Sequence, residues 1–219
     1  VTAGAASATL TEAGGVNNAT NGVDSAVITL TTADVDTVGR VVYDSQFLLN
    51  NGWSSADGGV SFTKAGTYGT ATFTVASGVI SYRLDNSDID TQRLTAGQNV
   101  NESFVIQVTD GNATQSTTAV FNLVGGNDAP TVVGAVASLA GTMGQLFSPV
   151  TLADNLFTDI DGVEASQLQL SIENLPAGLV FDAATRTISG TLSGNVTGVV
   201  TLQLVATDPT GAQARIPVN

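Results

Sequence analysis

The acidic side chains are the groups of this sequence best suited to do chemistry. Its 219 residues include neither cysteine nor histidine, and 15 of its 19 acidic residues are Asp. Those absences exclude thiol and imidazole nucleophiles and the usual ligand sets of zinc, haem and copper. Oxygen ligands remain, and because short Asp side chains suit loops that wrap a hard cation, calcium (Ca2+) is the first ion to expect. The alternative is that these Asp residues only form the turns of a β protein.

Paired carboxylates are the one catalytic arrangement that this composition leaves, as in glycoside hydrolysis. Enzymes of that kind usually surround the pair with aromatic platforms for sugars, whereas this chain has one Trp and 5% aromatic residues. Six of the acids also lie in three Asp-x-Asp pairs, which suit a bound ion. We therefore expect that the protein is not an enzyme.

The charge of the chain limits its partners. The formal net charge is -13, with six Lys plus Arg. Nucleic acids and anionic membranes need clustered cations, so we expect neither as a partner. No apolar run approaches the length of a membrane span and no cleavable leader opens the sequence, so we also expect no insertion into a membrane. The acidic surface and the absence of an obvious apolar patch predict a monomer.

Short strands must position the acidic loops. The chain is rich in Gly, Thr and Val and alternates apolar and polar residues over short runs bounded by Gly, Asn or Asp. The clearest runs are residues 26–32, 70–75, 79–84, 103–109 and 199–206. This pattern is typical of the strands of a β-sandwich, and it predicts an all-β chain with very little helix.

The segment from Tyr43 to Trp53 does not alternate. Phe47 and Leu48 follow Tyr43 within five positions and Asn-Gly then gives a stop signal, which predicts a single helical turn near 43–53. Tyr43 and Trp53 could line a ligand site, but large aromatic side chains more often cover the edge of a core. Asp57, in Ala-Asp-Gly-Gly, suits a plain turn better than an ion site.

Two blocks of the sequence share one general plan. Each has an acidic pair upstream and ends in an apolar strand beside an acidic turn, so we predict two domains, residues 1–126 and 127–219. The acids concerned are Asp34, Asp36 and Asp110 in the first block and Asp159, Asp161 and Asp208 in the second. Between the blocks, Asn127 and Asp128 lie in Val-Gly-Gly-Asn-Asp-Ala-Pro-Thr-Val, a linker whose chain direction is restricted by Pro130.

Five stretches of the first block occur in the order of a known repeat. They are Gly66–Thr70, Ile80–Asn86, Leu94–Gly97, Glu102–Gly111 and Gly126–Pro130. In these residues the block resembles the VCBS-type repeats of large bacterial surface adhesins of the RTX type. The part that contains Trp53 looks like a longer variant of the repeat.

The second block carries a different signature in Leu175–Asp182, Thr185–Leu192 and Leu204–Asp208. It is similar to the cadherin-like domains related to dystroglycan and to immunoglobulin-like repeats of bacterial surface proteins. Together the two resemblances imply two consecutive Ig-like or cadherin-like β-sandwiches in an elongated arrangement. They also imply a secreted adhesin on the bacterial cell surface, exported by type I secretion, although the sequence contains no Gly-Gly-x-Gly-x-Asp array.

The cadherin resemblance implies a set of calcium ligands at the junction of the two domains. Such junctions take acids from the end of one domain, from the linker and from the top loops of the next. Carried to this sequence, the set comprises Glu12, Asp85, Asp88 and Asp90, then Asn127 and Asp128, then Asp159, Asp161 and Asp208. A second set, Asp34, Asp36 and Asp110, would need a preceding linker, and Asp154 is a weaker candidate. The alternative is that Asn-Asp-Ala-Pro is only a turn and Thr-Asp-Ile-Asp only a solvated loop.

Two hypotheses of function follow. The first is structural: a calcium-stabilised extender segment of an adhesin that supports cell-surface or biofilm adhesion, with neighbouring domains of the same adhesin as its partners. The second is a binding module that recognises a carbohydrate or peptide of a host or environmental surface through Tyr43–Gly59. An exposed Trp53 or Asp57 in a concave site would favour the second hypothesis, and a segment packed flat on the core would favour the first.

Overall fold

The computed structural model describes residues 2–15, 20–34, 41–195 and 197–219. The chain divides into two compact units. The first comprises Val1–Ala13 with Thr20–Gly126, and the second comprises Gly14–Ala19 with Asn127–Asn219. Asp36, one of the predicted ligands, lies outside the described residues. Within the described ranges, no helix is long and apolar enough to cross a membrane.

The first unit consists of ten strands and two short helices in its described part. The strands are β1 (Thr2–Ala3), β2 (Ala6–Thr11), β3 (Ser25–Thr29), β4 (Thr32–Ala33), β5 (Val42–Tyr43), β6 (Ser61–Ala65), β7 (Gly69–Thr74), β8 (Val79–Leu84), β9 (Asn99–Thr109) and β10 (Thr114–Val124). The helices are α1 (Ser45–Asn50) and α2 (Ile89–Gln92).

Two four-stranded sheets form the sandwich of the first unit. One has the order β2-β10-β9-β5 and the other β3-β8-β7-β6, while β1 pairs with β4. The β9–β10 hairpin is antiparallel, whereas β2 runs parallel to β10 from Ala6 opposite Ala119 to Thr11 opposite Val124. Alternate residues of β10 are buried, because one face of the sheet covers the core.

Aromatic side chains fill the core between these two sheets. Tyr82 of β8 stacks on Phe121 of β10 with ring centroids 5.2 Å apart, and Phe104 of β9 contacts both rings. Trp53 is 3% exposed and meets Phe73 and Phe104 edge to face. The core therefore joins the two sheets through side chains that bury large apolar areas.

The second unit is a smaller sandwich. Its strands are β11 (Thr131–Val132), β12 (Leu146–Thr151), β13 (Phe157–Thr158), β14 (Gln169–Glu173), β15 (Leu179–Asp182), β16 (Thr187–Thr191), β17 (Leu202–Thr207) and β18 (Gln213–Val218), with a 3-10 helix at Glu164–Ser166. The sheets have the orders β12-β16-β15 and β14-β17-β18, and β11 pairs with β13. Phe147 and Ile188 from the first sheet share a core with Leu204 and Ile216 from the second.

The all-β prediction is confirmed, since strands dominate both units. The predicted run 79–84 coincides with β8, and the run 103–109 forms the second part of the longer β9. Within Tyr43–Trp53, α1 begins after Asp44, whose Oδ1 accepts a hydrogen bond from the Phe47 N–H at 2.9 Å. An Asp in this position caps a helix because it satisfies a backbone donor that has no partner within the helix.

Candidate metal site

The first residues of the second unit, Asn127 and Asp128, are hydrogen-bonded to two other loops. Asn127 Nδ2 donates to Asp208 Oδ2 at 3.0 Å, and the Asp128 N–H donates to Asp161 Oδ2 at 2.9 Å. Pro130 is buried, fixes its own φ and disfavours helix at the residue before it. These contacts hold the segment against the loops that carry Asp161 and Asp208.

The loop after β13 brings three carboxyl groups together. The Asp161 N–H donates to Asp159 Oδ1 at 3.1 Å, and the Glu164 N–H donates to the Asp161 carbonyl oxygen at 2.8 Å as the 3-10 helix begins. Gly162, between them, has a φ of 34°, which glycine adopts without strain. One oxygen each from Asp159, Asp161 and Glu164 therefore lies within 4.8 Å of the other two.

Asp208, directly after β17, has one oxygen committed to its own turn. Its Oδ1 accepts from the Thr210 N–H at 2.8 Å, from Thr210 Oγ1 at 2.9 Å and from the Ala212 N–H at 2.9 Å. The other oxygen, Oδ2, accepts from Asn127. The turn thus fixes the direction of the carboxylate toward the linker residues.

The acidic cluster is Asp128, Asp159, Asp161, Glu164 and Asp208, and all five side chains are buried, with 0 to 7% of their surface exposed. Four of their oxygens have no hydrogen-bond partner among the described residues. They are Asp128 Oδ2, Asp159 Oδ2, Asp161 Oδ1 and Glu164 Oε2. A buried carboxylate oxygen without a donor costs free energy, so four such atoms in one cluster require a further partner.

Burial also makes these groups harder to ionise. Burial raises the pKa of Asp161 to about 7; the charges of Asp128, Asp159 and Glu164 act in the same direction, while the hydrogen bond from the Asp128 N–H lowers it. Burial likewise raises the pKa of Asp128, Asp159 and Glu164. For Asp208 the opposing effect of burial is outweighed by its hydrogen bonds, which lower the pKa.

The donor set fits calcium. All the available ligand atoms are oxygens, and calcium takes six to eight of them in flexible geometry, whereas magnesium demands a near-ideal octahedron and keeps several waters. The cluster also places several negative charges in a dry environment, which a divalent cation would offset. Asn127, Asp128, Asp159, Asp161, Glu164 and Asp208 are the residues that would hold the ion.

Glu164 was not among the residues singled out from the sequence. Its signal is the spacing Asp159-x-Asp161-x-x-Glu164, in which the third acid follows one turn after the second. Glu is a regular oxygen ligand of calcium, so this spacing could have identified Glu164 as a third acid of the loop.

Glu12, Asp85 and Asp88, predicted ligands of the first unit, accept hydrogen bonds within that unit. Glu12 is 1% exposed, and its carboxylate accepts from the Gly126 N–H at 3.1 Å and from Gln92 Nε2 at 3.4 Å. Asp85 Oδ1 accepts from the N–H and the hydroxyl of Ser87 at 2.9 and 2.6 Å.

Asp88 caps α2, because its Oδ1 accepts from the Asp90 N–H at 2.8 Å, and Asp90 itself is exposed in the helix. That any of these first-unit acids shares an ion with the second unit stays a prediction.

The other predicted set is only partly described. Asp110 accepts from the N–H groups of Asn112 and Ala113 at 2.8 and 2.7 Å, which closes the turn between β9 and β10 and lowers its pKa. Asp34 is partly exposed just after β4, and Asp36 lies outside the described residues. Asp154 is exposed, with Arg186 at 4.0 Å.

The Tyr43–Gly59 segment packs on the core of the first unit. Trp53 is buried among aromatic rings, and the Tyr43 hydroxyl donates to the Leu30 carbonyl oxygen at 3.2 Å. Asp57 is exposed, but its two oxygens accept from the side chain of Ser55 and from both the N–H and the hydroxyl of Ser61. These hydrogen bonds lower the pKa of Asp57 to about 2 and match a plain turn.

Residues 129–219 match the family profile He_PIG, described as "Putative Ig domain". The match covers the block for which the sequence predicts similarity to immunoglobulin-like repeats, and that resemblance is confirmed. A search of curated proteins found no match to the chain. None of the matches found indicates an enzyme family.

Solved structures that the chain is similar to include cadherin ectodomains. It covers 31% of a protocadherin GammaB4 extracellular domain, at 14% identity, a TM-score of 0.48 and with 98% of this chain aligned. The chain covers 61% of mouse cadherin-23 EC22-24, at 16% identity and a TM-score of 0.46, with 97% of this chain aligned. It covers 92% of human protocadherin-24 EC1-2, at 18% identity and a TM-score of 0.48, with 97% of this chain aligned.

Proposed function

We propose that this chain is a calcium-stabilised extender segment of a secreted bacterial surface adhesin. The observation that carries the proposal is the acidic cluster of the second unit, with four buried carboxylate oxygens that lack a hydrogen-bond donor among the described residues. A divalent cation is the simplest partner for such a cluster, because it accepts several oxygen ligands and offsets their negative charge. One oxygen each from Asp159, Asp161 and Glu164 lies close enough to the other two to share one ion.

The ion would act on stability and not on catalysis. Without it, the folded second unit must either bury several negative charges beside one another or keep some carboxyl groups protonated, and both cost free energy at neutral pH. A cation that binds the folded cluster removes that cost and therefore stabilises the unit by mass action. A stiff, folded module is what an extender requires of its parts.

The adhesin context rests on the resemblances. The first block resembles VCBS-type repeats of RTX-type adhesins, and residues 129–219 match an Ig-type family. Export by type I secretion, residence on the bacterial cell surface and a role in biofilm or host adhesion are parts of this proposal. Its partners would be neighbouring domains of the same adhesin, with any surface glycan or peptide contacted elsewhere, and the segment would be monomeric.

Recognition of a ligand through Tyr43–Gly59 has less support. Stacking on a sugar needs an open aromatic face, whereas Trp53 is 3% exposed and packs against Phe73 and Phe104. Asp57 is exposed, but its oxygens are engaged within their own turn. The segment therefore serves the core of the first unit.

Calorimetric melts in EDTA and in millimolar calcium test the proposal. We expect calcium to raise the melting temperature of one transition, since an ion at a hundred times its Kd adds about 2.7 kcal/mol to the free energy of unfolding. Asp161→Asn should lose most of that rise. Asp182→Asn is the matched control, because Asp182 accepts backbone hydrogen bonds in an exposed turn of the same unit. A wild-type melt that calcium leaves unchanged would contradict the proposal.

A further inference from the structure

A backbone group outside the acidic cluster contacts one of its members. The N–H of Gly15 donates a hydrogen bond to Asp128 Oδ1. Gly15 lies in the loop that follows β2, and with Gly14 it groups with the second unit although it is more than a hundred positions upstream of Asp128. Neither its type nor its position marked it as a functional residue in the sequence.

The pairing has a simple origin in the register of the sheet. Gly15 and Asp128 are 113 positions apart, and every pair of the parallel ladder between β2 and β10 has that same separation, as in Thr11 opposite Val124. The loop after β2 and the linker after β10 thus meet at the same separation of 113 positions as the strands that precede them. Parallel pairing delivers one particular residue of the loop to Asp128.

A side chain at this position would compete with the Asp128 carboxylate for space. A Cβ at Gly15 would overlap Asp128 Oδ1 and lie 2.9 Å from Asp128 Cγ. The φ of Gly15 is outside the left-handed region, so any residue could adopt its backbone conformation. The demand for glycine therefore comes from the Asp128 carboxylate and not from the turn.

The hydrogen bond distinguishes the two oxygens of Asp128. Oδ1 is held by Gly15, whereas Oδ2 is buried without a partner among the described residues, in the same cluster as the free oxygens of Asp159 and Asp161. A carboxylate fixed through one oxygen loses its rotational freedom, so the other oxygen points in one direction before any ion arrives.

We propose that Gly15 is a positioning residue of the metal site: its N–H orients the Asp128 carboxylate so that Oδ2 faces the ion. This inference rests on the proposed calcium site and adds a residue that supplies no ligand. Loss of a group that orients a metal ligand typically weakens metal affinity by about 10- to 100-fold. Gly15→Ala should weaken calcium binding by that factor, since the new methyl group would push the carboxylate away.

A double-mutant cycle measured by calcium titration tests the inference. The proteins are the wild type, Gly15→Ala, Asp128→Ala and the double variant. We expect Gly15→Ala to weaken binding in the wild-type background and to have no further effect once Asp128 is gone, because the methyl group then has no carboxylate to displace. Gly4→Ala, in the same N-terminal region but beside Thr31, is the matched control and should bind calcium like the wild type.

Hydrogen exchange in EDTA provides a readout that needs no metal. The Gly15 amide should be protected in the wild type and should exchange at least about tenfold faster in Asp128→Ala, since its acceptor is lost. The Gly126 amide, which donates to Glu12, should keep its rate in the same variant and serves as the internal control.

The outcomes separate this inference from the proposed function. The inference is overturned, and the calcium site stands, if the wild type binds calcium and Gly15→Ala binds it equally well. The same holds if Gly15→Ala weakens calcium binding as much in the Asp128→Ala background as in the wild type. If the wild type binds no calcium, the proposed function is overturned and the positioning role with it. An unprotected Gly15 amide in the wild type would also overturn the inference, whatever the titrations show.

Discussion

The two units use the same acidic motif in different surroundings. In the first unit the Asp90 N–H donates to Asp88 Oδ1 at 2.8 Å, and in the second the Asp161 N–H donates to Asp159 Oδ1 at 3.1 Å. Asp90 is exposed and Asp88 partly so, whereas Asp159 and Asp161 are 7% and 0% exposed. Both motifs therefore contain the same local hydrogen bond. They differ in burial, since Asp159 and Asp161 are buried and Asp88 and Asp90 are not.

This difference shows that Asp-x-Asp spacing alone does not identify an ion site. Where water or a nearby donor reaches the carboxylate, the motif caps a helix, as at Asp88. Where several buried carboxylates face one another and some of their oxygens lack a donor among the described residues, the same spacing suits a cation. We therefore expect the first unit to be stable without calcium and the second to gain stability from it.

The largest expected effect concerns the core of the first unit. Trp53→Ala removes a buried ring between Phe73 and Phe104, which should cost about 3 to 5 kcal/mol in the free energy of unfolding. Calorimetry should show that the loss is equal in EDTA and in calcium. A Trp53→Ala protein as stable as the wild type would contradict the role of Trp53 in the core. The hypothesis that Tyr43–Gly59 binds a ligand would then regain support.

The pH dependence of the metal-free protein comes next. The pKa of Asp161 is about 7 when folded against 3.8 when unfolded, so the folded state binds the proton more tightly and loses stability as the pH rises. Between pH 5 and 7 the free energy of unfolding in EDTA should fall by on the order of 2 kcal/mol, since one pKa unit is about 1.4 kcal/mol.

Calcium should abolish that fall, because it favours the ionised carboxylates. Asp57, Asp85 and Asp110 of the first unit have lowered pKa values and therefore act in the opposite direction, but only as the pH drops below about 4. The window from pH 5 to 7 consequently reports on the acidic cluster. Stability in EDTA that rises across this window would contradict the buried cluster.

A smaller effect, on calcium affinity, is expected for Glu164, which was not predicted from the sequence. Glu164→Gln keeps the size of the side chain and removes its charge, so calcium affinity measured by titration should fall by about tenfold. Glu173→Gln is the matched control, because Glu173 is exposed and pairs with Arg215 at 3.3 Å. Equal affinities of the two variants would remove Glu164 from the site.

The smallest effect concerns Asp88. Asp88→Ala should lower the free energy of unfolding in EDTA by about 1 kcal/mol through loss of the helix cap, and Asp88→Ser should restore most of it. The same pair in calcium tests the ligand role predicted from the sequence. A smaller calcium-dependent rise in Asp88→Ser than in the wild type would support ligation, and an unchanged rise would leave Asp88 as a helix cap alone.

Local patterns allowed the class of fold to be predicted. Runs such as 79–84 alternate because one face of each strand covers a core, and this alternation is visible in any short window. The parallel pairing of β2 with β10 was not predictable, because it joins residues 113 positions apart and no local signal records such a partner. The helix α2 was also missed, since four residues give too short a pattern.

Asn127 and the four Asp residues of the candidate site were predicted from the sequence, whereas Glu164 and Gly15 were missed. Asp159, Asp161 and Asp208 were noticed because acidic pairs and acidic turns recur in both blocks. Burial separates these residues from Asp88 and Asp90, and it depends on how distant loops pack. Gly15 could be recognised only from the position of Asp128 beside it, because a glycine in sequence carries no mark of a close neighbour.

The acidic cluster connects distant points of a chain that has no cysteine. Asn127 and Asp208 are 81 positions apart, a loop that a secreted protein would often close with a disulfide. An ion in the cluster would join the ends of this loop only in the folded state, so it leaves the entropy of the unfolded chain unchanged. The stability that such a crosslink adds would increase with the concentration of free calcium and would be unaffected by reducing agents. The resistance of the second unit to proteases would then follow the calcium concentration of its surroundings and not their redox state.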